Sequence, residues 1–218
     1  MEWRKRVQIL LWVTAYLPLY FIMIYQFINS NDFFGIYKEN PFLKCILEQY
    51  NILFDLIVIS LVIILSLLVY RLVTFYLFKG LEVRITEKGD GENYSVRKYE
   101  KLNVNEYTFF LFTLLLPLIS LDYESVINLA ISFLIIGVVI VIYVKTDFIS
   151  VCPLFFTSGR NVFKAIISQS SKEEELLDPS LRISAVIITK EKHLNLNNQF
   201  RAIHLVGNVY YLTKRNVS

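Results

Sequence analysis

Charge is scarce in this chain: only 19% of its 218 residues are Asp, Glu, Lys or Arg, against roughly 25% in ordinary soluble domains. Hydrophobic residues make up 55% and mean hydropathy is +0.50, so an ordinary soluble domain is excluded. Cysteine is limited to Cys45 and Cys152, which excludes a disulfide-rich scaffold and a four-cysteine zinc site. Histidine is limited to His193 and His204, and two lone histidines in strand or loop contexts read as structural. No His-Glu-x-x-His, Gly-x-Ser-x-Gly, Walker-type or Gly-x-Gly-x-x-Gly motif occurs. Zinc hydrolysis, an esterase elbow and a phosphate loop therefore lack their local geometry.

What the chain has in abundance is long uncharged segments. Val7 to Ile28 is uncharged for 22 residues, enough to cross a hydrocarbon core of about 30 Å as a helix. Arg4, Lys5 and Arg6 precede it, but the run exceeds a signal-peptide core and no Ala-x-Ala-like site follows. It reads as an uncleaved anchor. The second segment, Ile52 to Phe78, carries Asp55 and Arg71, each placed to snorkel to its own interface. Asn40 and Pro41 form a helix-start pair, so this helix is expected to run from Pro41 to Phe78. Tyr107 to Leu121 and Val126 to Val144 read as a helical hairpin, with Pro117 expected to kink the first arm. Ala130 and Gly137 on the last helix permit close helix approach.

Orientation follows from where Lys and Arg fall. Three precede the first crossing, six lie between Lys79 and Glu106 and ten follow from Lys145, whereas two lie between Asn29 and Asn51 and none between Asp122 and Ser125. The basic side stays in the cytoplasm. The chain is therefore read as a multi-pass protein of the bacterial inner membrane with both termini inside.

Outside the crossings, alternating Leu81, Val83 and Ile85, a turn near Asp90 and Gly91, and Tyr94 and Val96 predict a β-hairpin. The tail adds strands at Val162 to Ser168, Leu181 to Ile188, Arg201 to Val206 and Val209 to Thr213, the last two joined by Gly207 and Asn208. Ser168 to Glu175 reads as a solvated loop rather than a metal site. The expected fold is an α+β membrane protein. It has four transmembrane helices and a small cytoplasmic β-rich domain assembled from the inner loop and the C-terminal tail. Its segments are 1–78 (two crossings with outer loop 29–51), 79–106, 107–144 and 145–218.

No catalytic, metal or cofactor site is predicted. Asp55 and Arg71 are sixteen positions apart, roughly 24 Å along one helix, too far to act on one atom. Arg71 is assigned to a lipid phosphate or a partner carboxylate. The aromatic residues Phe33, Phe34 and Tyr37 of the outer loop form a candidate sensing surface. Arg201, His204, Tyr210 and Tyr211 form candidate partner-docking strands. Direct nucleic-acid binding is not expected, because the inner loop is net neutral and the tail only +4. A small oligomeric channel or transporter is the alternative, with Ser60, Ser66, Thr113, Asn128 and Ser132 as polar lining.

The tail stretch Cys152-Pro153-Leu154 leading to Gly159-Arg160-Asn161-Val162-Phe163, and Glu106-Tyr107 running into Leu116-Pro117-Leu118-Ile119-Ser120, together with the four-crossing layout, resemble the KwaA family. This family is the membrane subunit of the Kiwa anti-phage defence system. The resemblance implies a homo-oligomer, tetrameric in the family, that detects infection at the envelope. It also implies action through a soluble DNA-binding effector, KwaB. None of the matching residues is a catalytic signature, and no functional residue is carried over.

Overall fold

The computed structural model describes Trp3 and residues 5–31, 41–87, 89–102, 108, 110–113, 115, 125–146, 149 and 152–214; for 41–52, 54, 156 and 157 it describes the backbone only. The first apolar segment is two helices, α1 (Lys5–Ala15) and α2 (Leu17–Ser30), meeting at a 49° bend rather than the single straight crossing expected. Pro18 is the physical reason. As the second residue of α2 it has no N–H to give, and its ring conflicts with the carbonyl four residues back.

The helix α3 (Pro41–Thr86) has 46 residues, about 69 Å at roughly 1.5 Å per residue. It runs two turns past the predicted end, so Leu81, Val83 and Ile85 are helical and the expected hairpin does not form. Leu81 and Ile85 are four apart and continue a buried stripe from Ser66 through Tyr70, Thr74 and Phe78, and this helical repeat outcompetes the alternation. The helix stops where Gly89 and Gly91 take positive φ and Arg84 pairs with Asp90 at 2.7 Å. Outside its buried stripe α3 is apolar and exposed, from Leu56 to Tyr76.

The helix α4 (Val126–Lys145) starts at Ser125, whose side chain accepts from Ile127 N. By length and composition α3 and α4 are each able to cross a membrane, and α1 with α2 makes a third if the bent pair is one span. The predicted third crossing lies mostly outside the described residues, as does the outer loop with Phe33, Phe34 and Tyr37.

Aromatic rings and several hydroxyls tie the helices to one another. Trp12 lies between Phe110 and Tyr143, ring centroids 5.7 and 4.3 Å away. The Tyr143 hydroxyl is 2.7 Å from Thr113 Oγ1, and the Tyr70 hydroxyl donates to the Ala15 carbonyl at the bend, 2.7 Å. Asp55 is half-buried and accepts from the Tyr25 hydroxyl at 2.5 Å. It therefore ties α2 to α3 instead of only reaching for an interface.

The β-rich part is a closed five-stranded barrel of β1 (Glu92–Lys101), β2 (Asn161–Ser168), β3 (Ile183–Thr189), β4 (Gln199–Val206) and β5 (Val209–Lys214) in the order β1-β2-β3-β5-β4. Strand β1 pairs with β4 through Glu92 to Ser95 and with β2 through Ser95 to Lys101, both antiparallel. Strands β3 and β5 are parallel, with Val186 opposite Val209. This connectivity is that of an OB-type barrel. Its interior holds Tyr94, Val96, Phe163, Ala165, Ile187, Phe200 and Leu212. Two short helices, α5 (Leu154–Thr157) and α6 (Lys172–Leu177), lie before and after β2.

The acidic run is not a solvated loop. Ser171 and Glu174 close a capping box that starts α6, and Glu175 is buried between Arg97 (2.7 Å) and Arg182 (3.0 Å). The Arg97 hydrogen bond holds its carboxyl down at about 2, below the ordinary 4.5. A carboxyl lowered on folding contributes stability above pH 4.5 that is lost as pH falls toward 2. Glu175→Gln is therefore expected to shrink the acid sensitivity of unfolding between those values, read as thermal midpoint against pH in detergent. An unchanged acid slope contradicts this account.

Candidate functional site

The densest convergence of distant chain segments lies where the end of α3 meets the barrel. Phe78 and Glu82 are four apart and share one face of α3. Gly159, with φ 68°, turns the chain so that Arg160 stands just before β2, and Lys190 directly follows β3. On β5, Val209 and Tyr211 face the helix while Leu212 faces the barrel interior.

Glu82 takes three donors. Arg160 Nη2 and the Tyr211 hydroxyl both donate to Oε1 at 2.7 Å, and Lys190 Nζ donates to Oε2 at 2.6 Å. The Arg160 guanidinium lies 4.1 Å from the Phe78 ring centroid and 6.0 Å from that of Tyr211. Its side chain is only 8% exposed, so the charge is answered by a carboxylate and ring faces rather than by water. Burial, then the hydrogen bond to Glu82, pushes the Tyr211 hydroxyl up, so it stays a neutral donor.

Around this ion pair is an aromatic collar. Phe78 lies 5.3 Å from Tyr211, 5.8 Å from Phe155 and 5.9 Å from Trp3. Trp3 N also donates to the Leu205 carbonyl at 2.5 Å. Cys152 is buried beside them, and burial pushes its thiol up to about 12. It is an inert packing residue. The joint therefore binds the N-terminal segment, the end of α3, α5, strands β4 and β5 and the residues that flank β2 and β3 into one body. Its chemistry is fastening: its one carboxylate is engaged by three donors. Among the described residues there is no group of three or more His, Cys, Asp or Glu able to hold a metal ion.

The sequence-predicted residues fall unevenly around this joint. Tyr211 belongs to it, turned onto α3 and 1% exposed rather than displayed on an open strand. Tyr210 is half-buried against Tyr94 at 5.6 Å. His204 Nε2 lies 2.6 Å from the Gly207 carbonyl, clasping the β4–β5 turn, and its ring is 4.9 Å from Tyr210. A cavity of about 390 Å³ between the helix end and β4 is lined by Arg84, Asp90, Glu92, Tyr94 and His204. Arg201 is half-buried beside Gly89 at the end of α3, with Nη1 3.3 Å from where a Cβ on Gly89 would lie. Closure of the barrel leaves β4 and β5, the candidate docking strands, no free edge, because β4 pairs with β1 and with β5, and β5 also with β3. Arg71 is exposed on the apolar outer face of α3.

Sequence reasoning missed Glu82, Arg160, Lys190, Trp3 and Phe78 as a unit. The signal available was Glu82 standing four residues after Phe78 in an apolar stripe, which becomes visible only once α3 is carried past residue 78. In a comparison with protein families, the family described as "Anti-phage protein KwaA" matches residues 7–211, nearly the whole chain. No curated protein and no solved structure matches it.

Proposed function

The chain belongs to the KwaA family of anti-phage proteins, and from that premise we propose that it is the membrane-embedded sensor and anchor of a bacterial defence complex. It feels a change at the envelope and acts through a soluble effector, the DNA-binding partner KwaB that the family resemblance implies. The carrying observation is the joint at Glu82: one unbroken helix of 46 residues is clamped at its end to the barrel. A displacement of that helix in the bilayer is thereby a displacement of the barrel. A stimulus shifts such an assembly only by favouring one arrangement over another, and a rigid joint carries the difference inward.

Homo-oligomerisation, as a tetramer in the family, is part of this reading. It is supported by the broad apolar face that α3 leaves exposed, and by Ala130 and Gly137 on α4. Ala130 is exposed, and nothing lies within 4 Å of a Cβ built on Gly137. The excess of Lys and Arg before the first crossing, between residues 79 and 106 and after residue 144 supports a reading with both termini inside.

Thiol labelling tests the orientation, and burial decides which cysteines are useful. In intact spheroplasts an impermeant maleimide is expected to label Cys45, and to label an exposed Lys192→Cys only after lysis. Native Cys152 stays silent in both cases because it is buried and protonated. Labelling of Lys192→Cys in intact cells reverses the topology. Ion conduction by the purified chain in a bilayer, with full protection in cells lacking KwaB, replaces the sensor by a channel.

A further inference from the structure

We infer that the exposed leucines of α6 form a docking knob for a soluble protein partner whose apolar cleft is rimmed by Lys or Arg. The inference rests on the reading above that the chain works through a cytoplasmic partner. Leu176 is 78% exposed and Leu177 88%, with Leu181 and Ile183 each 37% exposed a few residues on. Surface hydrophobics scattered singly need no explanation, but four within eight residues of one small barrel form a patch.

The support beneath this patch is fixed at three points. The Ser171 hydroxyl accepts from Glu174 N at 3.2 Å, while the Glu174 carboxylate accepts from Ser171 N at 3.0 Å. The buried Glu175 carboxylate is gripped by Arg97 and Arg182, and Arg97 also donates to the Ser170 carbonyl at 2.7 Å. Asp178 accepts from Ser180 N and Oγ at 3.0 and 2.6 Å. With Glu175 turned inward and both ends of the segment capped, Leu176 and Leu177 are held outward. Burying both in a partner takes out of water the apolar surface that the isolated barrel leaves exposed.

Charge selects the occupant. Three exposed carboxylates, Glu173, Glu174 and Asp178, flank the leucines, against Lys172 and an Arg182 that shares the Glu175 carboxylate with Arg97, so the rim keeps an acidic excess. An anionic inner-leaflet surface is repelled by those carboxylates. A two-fold contact with a second copy sets the same carboxylates against each other. A head-to-tail contact needs another apolar patch, and among the described barrel residues the other exposed large hydrophobic side chain is Leu196. A different protein with a basic rim satisfies both the leucines and the acids.

The test uses the full-length chain in lipid nanodiscs with purified KwaB as the probe. Leu176→Ser with Leu177→Ser is expected to weaken binding at least about tenfold with an unchanged thermal midpoint, since neither side chain is packed. Glu173→Lys is expected to weaken binding less and to flatten its salt dependence. Wild-type-like binding by the double-serine variant overturns the surface while leaving the partner reading intact. Absence of binding by the wild type removes the partner reading and this inference with it. Quenching of a Leu177→Trp fluorophore by brominated lipid identifies the bilayer as occupant and overturns it. Loss of self-association in the serine variant identifies a second copy and does the same.

Discussion

Glu82→Ala is expected to abolish protection against phage while leaving the chain inserted and expressed. The substitution strips the carboxylate from Arg160, whose side chain is 8% exposed, and from Lys190 and the Tyr211 hydroxyl at once. Glu82 is 26% exposed, so solvent screens part of the loss, and leaving the Arg160 guanidinium without its carboxylate costs on the order of 1.5–3 kcal/mol. That cost falls at the contact between α3 and the barrel, so the barrel is expected to detach from the helix before either unfolds. Tyr211→Phe is the graded control, since it removes one hydrogen bond worth about 1 kcal/mol and leaves the ion pair. Plating efficiency of phage on cells carrying each variant, with immunoblots of membrane fractions, separates loss of coupling from loss of protein. Full protection by Glu82→Ala contradicts the role given to the joint.

The second large effect is expected at Gly91. Its φ is 101°, and an added Cβ would stand 2.6 Å from the Ala202 carbonyl oxygen, a backbone atom that cannot swing aside. Gly91→Ala therefore combines backbone strain with overpacking, together about 2–5 kcal/mol. The damage strikes where β1 begins to pair with β4, Glu92 opposite Ala202, so it opens the barrel at its seam. Gly80→Ala is the matched control. Gly80 is exposed within α3 and nothing lies within 4 Å of its built Cβ, so alanine there stabilises by up to about 1 kcal/mol. Thermal unfolding in detergent is expected to show a large fall in midpoint for Gly91→Ala and none for Gly80→Ala.

Both sites show how far sequence alone reaches. The four tail strands were legible because Val, Ile, Phe and Tyr alternate between turn residues, and β2, β4 and β5 fall within two residues of their predicted ends. The Gly207-Asn208 turn was legible for the same reason, and Gly207 has φ 54°. Closure of the barrel was not legible, because it depends on β1 reaching both β2 and β4, a long-range pairing that no local pattern encodes. The segment from Leu81 to Ile85 fits a strand and a helix equally, and what decides is the barrel surface that Phe78, Leu81 and Ile85 cover. Pro18 was an available signal for the bend between α1 and α2, lost beneath the strength of the apolar run. Among the candidate residues, Tyr211 reads from its strand pattern as a docking residue and is buried at the joint. Its partner Glu82 is 129 positions away and invisible to any windowed reading.

The central claim is that the barrel moves with α3 as one body, and a spin-label distance measurement addresses it most directly. Labels at Ile57→Cys on the exposed face of α3 and Lys192→Cys on the barrel, in a Cys45→Ser background diluted with unlabelled chain, report the position of one relative to the other. Buried Cys152 stays unlabelled. A narrow distance distribution in the otherwise native chain that broadens in Glu82→Ala is the predicted result. A broad distribution in the native chain, unchanged by Glu82→Ala, contradicts the claim.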